Sequence, residues 1–179
     1  MLPKERPKAT IEDIKRYAAE QKVELDFSDT PAYIIARRHY YSKMQKNGNY
    51  ACACFVVWRE NGEIKHQNFN FNTVPQKLNP KAVQGKGTAT LERGVWWYKK
   101  GLHKGKEDGL RQSAPVMVYR VGVQKEGVYE LKDSLNFHSG GVRSTFSEGC
   151  QTLPPSQKKE FIELVYNLIG EEKIKYVLC

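Results

Sequence analysis

The order of apolar and polar residues divides the chain into short segments of two kinds. Thr10-Ile11-Glu12-Asp13 has the features of a helix start, and Ile11, Ile14, Tyr17 and Ala18 then return to one face, with the pattern ending near Lys22. A loop containing Asp29-Thr30-Pro31 follows, and Tyr33 to Arg37 reads as either a strand or a short helix. Ala51 to Arg59 is apolar at odd and even positions alike, as expected of a strand covered on both faces. Asn61-Gly62 then predicts a tight hairpin turn, and Ile64 to Phe71 its partner strand. Pro75, Pro80 and Gly85-Lys86-Gly87 mark a loop. Thr88–Leu91, Val95–Tyr98, Pro115–Val123 and Gly127–Leu131 read as short strands. Near the end, Pro154-Pro155-Ser156 opens a helix with Phe161, Leu164, Val165 and Leu168 on one face and Gly170 as its stop, and Ile174–Leu178 reads as a last strand. The expected fold class is mostly β (α+β), with a few flanking helices.

Composition narrows the classes. Hydrophobic residues make up 40% of 179, enough for a core without metal or disulfide staples. No apolar run is long enough to span a bilayer, so no stable membrane insertion is expected. The first residues are charged and lack the apolar stretch of a secretory signal, which points to synthesis in the cytoplasm without a signal peptide. A net charge of +9 attracts polyanions, whether nucleic acid, anionic membrane or cell envelope. Nothing in the chain matches a nucleic-acid-binding motif, so no nucleic-acid partner is expected, and a basic nucleic-acid-binding or wall-binding module without catalysis stands as the alternative function. The densest basic stretch, Lys99 to Lys106, reads as a solvated loop. The four cysteines lack zinc-ligand spacing, so neither metal nor cofactor is expected. Cys52 and Cys54 read as small buried hydrophobes, His103 as a surface residue, and Arg111, Gln112 and Arg120 as structural.

The chemistry is concentrated between Leu135 and Leu153. His138 ends an apolar strand, Ser139-Gly140-Gly141 follows, and Ser147-Glu148-Gly149-Cys150 precedes the last helix. An imidazole near a thiol can deprotonate it and make it a nucleophile. Gly140 and Gly141 allow a sharp turn after the histidine, Gly149 leaves room beside the sulfur for a substrate carbonyl, and the N–H groups of Gly149 and Cys150 are candidates for an oxyanion hole.

The order His-small-Gly then Ser-x-Gly-Cys resembles the L,D-transpeptidase catalytic domain (YkuD-like) family, whose signature ends in Ser-His-Gly-Cys. The hairpin from Phe55 to Phe71 is similar to the family's opening hairpin, and Gly87-Thr88-Ala89-Thr90 with Gly94 to Tyr98 to its Gly-Thr strand pair. The stretch Gly101 to Gln112, with the Ser-x-Gly-Cys-Gln ending, is similar to uncharacterised phage and bacterial proteins. The resemblance covers about residues 50 to 170 and implies a YkuD-like β-sandwich or barrel over 46–179, with 1–45 as an N-terminal helical extension. It also implies that Cys150 attacks an amide carbonyl to form a thioester, that His138 takes the thiol proton, and that the Ser139 carbonyl fixes the imidazole tautomer. The implied partners are peptidoglycan stem peptides, and the implied place of action is the periplasm or cell wall, as for a phage endolysin. Two positions depart from the family: Glu148 stands where a second histidine is usual, and Thr152 where an arginine usually follows. Arg143 is the candidate replacement for that arginine. Glu148, with the small Gly- and Ser-rich loop, favours water as acceptor and therefore hydrolysis over transpeptidation.

Overall fold

The computed structural model describes residues 3–41, 49–82, 86–121 and 126–179. Gly85 of the expected loop, Gly122 and Val123 of one expected strand, and the 45/46 boundary lie outside those residues.

The chain is mostly β with two helices among the described residues. In order it forms α1 (Ile11–Ala19), β1 (Ala32–Arg37), β2 (Cys52–Glu60), β3 (Glu63–Phe71), β4 (Thr88–Leu91), β5 (Gly94–His103), β6 (Glu107–Gln112), β7 (Val116–Val121), β8 (Gly127–Leu131), β9 (Phe137–Ser139), β10 (Gln151–Leu153), α2 (Pro155–Ile169) and β11 (Ile174–Leu178). One sheet has eight strands in the order β10-β9-β6-β5-β11-β1-β2-β3, and a second has three in the order β4-β7-β8. The large sheet curls until its two edges meet: just past β3, Asn72 bridges Thr152 of β10, with N–H to carbonyl distances of 2.9 and 3.0 Å. That closure removes edge groups that would otherwise need another partner.

Each element follows from its residues. Thr10 and Asp13 cap α1 reciprocally, and Ile14 and Ala18 are the buried pair on its inner face. Asn61 and Gly62 take positive φ angles of 51° and 83° and fold β2 back on β3, with Cys52 opposite Phe71 and Glu60 opposite Glu63. Strand period then sorts β2 between two cores. Cys52, Cys54 and Val56 join Phe69, Phe71, Tyr98, Phe137 and Tyr176 inside the curl, where α2 and the small sheet also pack. Ala53, Phe55 and Val57 face outward beneath α1.

One open alternative is decided and two expectations change. The segment from Tyr33 to Arg37 is a strand, and it runs parallel to β11 and antiparallel to β2 in the interior of the large sheet. Residues before 46 therefore supply a central strand as well as a helix, and are not solely a helical extension. Lys99 to Lys106 is not a loop: Lys99–His103 continue β5, and only the turn to β6 is irregular. The alternation that would identify it is broken because Gly101 and Gly109 face each other across the hairpin, where Arg111 and the Phe137 carbonyl leave no space for a Cβ.

Candidate active site

The site grows from β9 and β10, which run parallel with Phe137 beside Gln151 and His138 beside Thr152. Phe137 and Gln151 point into the core, and Gln151 Oε1 there accepts a 2.8 Å bond from Tyr176. The alternation of the strand sends His138 to the other face, and Cys150, one residue before Gln151, goes with it. Cys150 Sγ and one nitrogen each of His138 and His103 all lie within 4.8 Å of one another. They open onto a cleft of about 570 Å³ whose lining also includes Lys77, Lys104, Phe146 and Glu148.

The histidine is held in one state. His138 Nδ1 lies 2.7 Å from the Ser139 carbonyl, which makes Nδ1 the donor and leaves Nε2 as the basic nitrogen. Ser139 is fixed in turn, because its N–H donates to Glu107 Oε1 at 3.1 Å and Glu107 pairs with Lys158 of α2 at 3.2 Å. His103, at the end of β5, stacks on His138 with centroids 4.0 Å apart and planes within 14°. Burial holds His138 below its ordinary value, partly offset by the Ser139 bond and by Glu107. Burial, then His138 and Lys104, hold His103 down at about 4. Both rings are therefore neutral at pH 7. Burial raises the Cys150 thiol, and the Asn136 N–H, 3.5 Å from the sulfur, and the charge of Lys104 act against that rise. Both shifts favour the neutral thiol and neutral imidazole over the thiolate–imidazolium pair.

The loop between the two residues is tied down locally. Ser147 Oγ accepts from the Gly149 N–H at 3.0 Å and donates to the Cys150 carbonyl at 2.6 Å. This fixes the turn before the nucleophile and corrects one expectation: the Gly149 N–H is already used, so only the Cys150 N–H of that pair remains for an oxyanion. Ser147 is buried and holds the loop from within. The requirement for glycine at 149 also differs from the expected one. Gly149 has φ +146°, and a Cβ there would lie 2.3 Å from the Ala89 carbonyl of β4. The missing side chain lets two backbones touch; it does not make room for substrate. At Gly140 a Cβ would strike the Tyr50 hydroxyl, which donates to the Gly141 carbonyl at 2.8 Å.

Glu148 is exposed at the cleft, and its carbonyl accepts from Ala89 N–H at 3.1 Å. Arg143 is exposed on the loop and is not among the cleft-lining residues, so the cations at the cleft are Lys104 and Lys77. Glu107 and Tyr50 are site residues that sequence reasoning missed, and neither lies in a motif. His103, noted within the basic stretch Lys99–Lys106 but read there as a surface residue, belongs to the site as well.

His103, His138 and Cys150 together offer a donor set that could hold a zinc-like ion, a trio the Cys and His spacing did not predict. An ion lying in the plane of both rings needs planes that converge on it, and these rings lie face to face. As it stands the trio is a stacked pair beside a thiol, and His103 would have to turn to complete a coordination shell. No protein-family profile, no curated protein and no solved structure matches this chain.

Proposed function

We propose that the chain is a cysteine-nucleophile acyl-transfer enzyme acting on peptidoglycan stem peptides, and that it hydrolyses them in preference to rejoining them. The observation that carries the chemistry is the Cys150–His138 pair, with His138 Nδ1 tied to a backbone carbonyl and its other nitrogen without a hydrogen-bond partner among the described residues. The substrate class rests on the resemblance of this loop to the L,D-transpeptidase signature and on the basic surface.

In the first step His138 Nε2 takes the thiol proton as Sγ adds to the amide carbonyl. The Cys150 N–H lies next to the developing oxyanion. The imidazolium then gives its proton to the leaving amine, and a thioester remains. His103, neutral at pH 7, places no second positive charge against that imidazolium. In the second step neutral His138 takes a proton from water as the water oxygen attacks the thioester; the C–S bond breaks, the acid leaves, and the imidazolium returns its proton to the Cys150 thiolate. Phe146 and Glu148 at the cleft are exposed, so the thioester is open to water. Among the described residues, no helix is long and apolar enough to cross a membrane.

The test is incubation with purified muropeptides and mass analysis of the products, with an added D-amino acid as competing acceptor. Shortened peptides without incorporation are expected, and Cys150→Ser should give none. Exchange products forming faster than shortened ones would make the enzyme a transpeptidase. The His103–His138–Cys150 trio favours one other reading, in which sulfur is a metal ligand and a bound water attacks. Phenanthroline separates the two: it stops a metal-dependent hydrolase and leaves a thiol nucleophile active.

A further inference from the structure

With the Gly149 N–H taken by Ser147 Oγ at 3.0 Å, the turn before the sulfur offers one backbone donor, the Cys150 N–H, to a developing oxyanion. Acyl transfer is ordinarily served by more than one. His103 has the placement and the proton to be another. Its ring lines the same cleft as Cys150, and one of its nitrogens lies within 4.8 Å of Sγ. Its Nδ1 is 3.4 Å from Asn136 Nδ2. An amide nitrogen only donates, so Nδ1 is the acceptor and the neutral ring carries its proton on Nε2. Asn136 is itself fixed: its backbone N–H reaches Cys150 Sγ at 3.5 Å, its carbonyl accepts from Gln151 N–H at 2.9 Å, and the residue is 7% exposed. Asn136 Oδ1 is buried without a partner. Reversing the amide would put the NH2 group there and leave two buried donors unsatisfied in place of one acceptor, so the observed orientation is the lower in energy.

We propose that His103 is the second donor of the oxyanion hole, its Nε2–H giving a hydrogen bond to the carbonyl oxygen as Cys150 Sγ adds to the carbon, with Asn136 as the positioning residue that sets its tautomer. This rests on the acyl-transfer chemistry proposed above, and not on the peptide as substrate. Nε2 of His103 has no hydrogen-bond partner among the described residues, so a ligand oxygen meets a donor that nothing else uses. The ring stacks on His138 at 4.0 Å between centroids, and that contact holds the donor beside the base. A neutral imidazole also suits the place. It stabilises the oxyanion without setting a second full positive charge against the His138 imidazolium that forms in the same step. The two histidines thus differ in role through what holds each Nδ1: a carbonyl at His138 makes Nε2 a base, and an amide NH2 at His103 makes Nε2–H an acid partner.

The experiment compares two reactions of Cys150, one that passes through an oxyanion and one that does not; the other cysteines are buried. With p-nitrophenyl acetate, Sγ adds to the ester carbonyl, the C–O bond breaks, p-nitrophenolate leaves and an acetyl thioester remains; nitrophenolate release is read with Cys150→Ser as the blank. With iodoacetamide, Sγ displaces iodide, read by mass spectrometry of the Cys150 peptide. The ratio of the two rates cancels any change in thiol ionisation. In His103→Phe, which keeps a stacking ring and loses the N–H, acylation should fall roughly 100-fold and alkylation by no more than about threefold. His103→Gln, whose amide keeps an N–H donor, should acylate about tenfold faster than His103→Phe. His103→Met also lacks the donor and takes the place of His103→Phe if that variant does not fold. An acylation-to-alkylation ratio in the donorless variant equal to wild type, or no higher in His103→Gln than in that variant, overturns the proposal even if muropeptides are cut. The selective loss of acylation in a protein that leaves muropeptides intact keeps the His103 donor and overturns the peptidase. Wild-type Cys150 that reacts with neither reagent overturns both.

Discussion

At position 149 the backbone accepts one residue type. Gly149 has φ +146°, and its Cα lies so close to β4 that an added Cβ would meet the Ala89 carbonyl at 2.3 Å. Gly149→Ala combines strained backbone with a clash against backbone, and should cost about 3 kcal/mol in urea unfolding. The neighbouring pair sets the pH dependence. His138 must be neutral to accept the thiol proton, and burial lowers its pKa. The neutral form therefore persists below the usual histidine range, and the acid limb of kcat/KM should fall below pH 6.5. The Cys150 thiol is raised, so iodoacetamide labelling should keep climbing above the ordinary thiol range. A labelling rate already at its plateau at pH 7 would instead indicate a thiolate–imidazolium pair. Cys150 and His138 were legible because they lie in one short, glycine-flanked stretch. Glu107, Tyr50 and His103 were not, because each reaches the site through strand pairing or packing across many residues, and nothing local to them marks a role.

Elements were legible where a single local rule decided them. The capping box of α1, the Asn61-Gly62 turn and the proline-started α2 each need only adjacent residues. β1 was ambiguous because it is buried along nearly its whole length, and a short apolar run has no period that separates strand from helix. The β9–β10 loop is a second such unit, and its internal bonds set its stability. Ser147→Ala removes the acceptor for Gly149 N–H and the donor to the Cys150 carbonyl. The expected cost is about 1–3 kcal/mol, with a fall in kcat larger than any change in KM, because the loop aims the sulfur. The β5–β6 hairpin contributes through His103. Its folded-state pKa is about 4 against an ordinary 6.5, so on acidification the unfolded chain takes up the proton first. Stability is fully present above pH 6.5 and is lost as pH falls towards 4. His103→Gln should therefore melt progressively higher relative to wild type across that window. Parallel melting curves from pH 7 to 4 would show that His103 is not depressed.

Over the whole molecule, the site depends on how the sheet closes. The Asn72–Thr152 bridge joins the end of β3 to β10, two residues after the nucleophile, so the far edge of the sheet bears directly on the catalytic edge. The chain pattern gave no notice of this closure, since it pairs residues 80 apart through backbone groups that every sequence carries. What fills the curl was legible: Phe161 was expected on the inner face of α2, and it packs edge-on to Phe69 at 5.3 Å and parallel to Phe137 at 6.0 Å. Phe137 is the residue before His138, so α2 supports the base from inside the barrel. Phe161→Ala leaves a cavity between two strands that cannot both move, because β3 and β10 are tied together beyond it. The expected loss is about 3–5 kcal/mol by denaturant, and Phe161→Leu should recover more than half of it. If the packing also holds the site, the Cys150 labelling rate of Phe161→Ala should change under conditions where the variant is still folded. A variant that loses stability but labels like wild type would mean that the Ser139–Glu107 anchor alone positions His138.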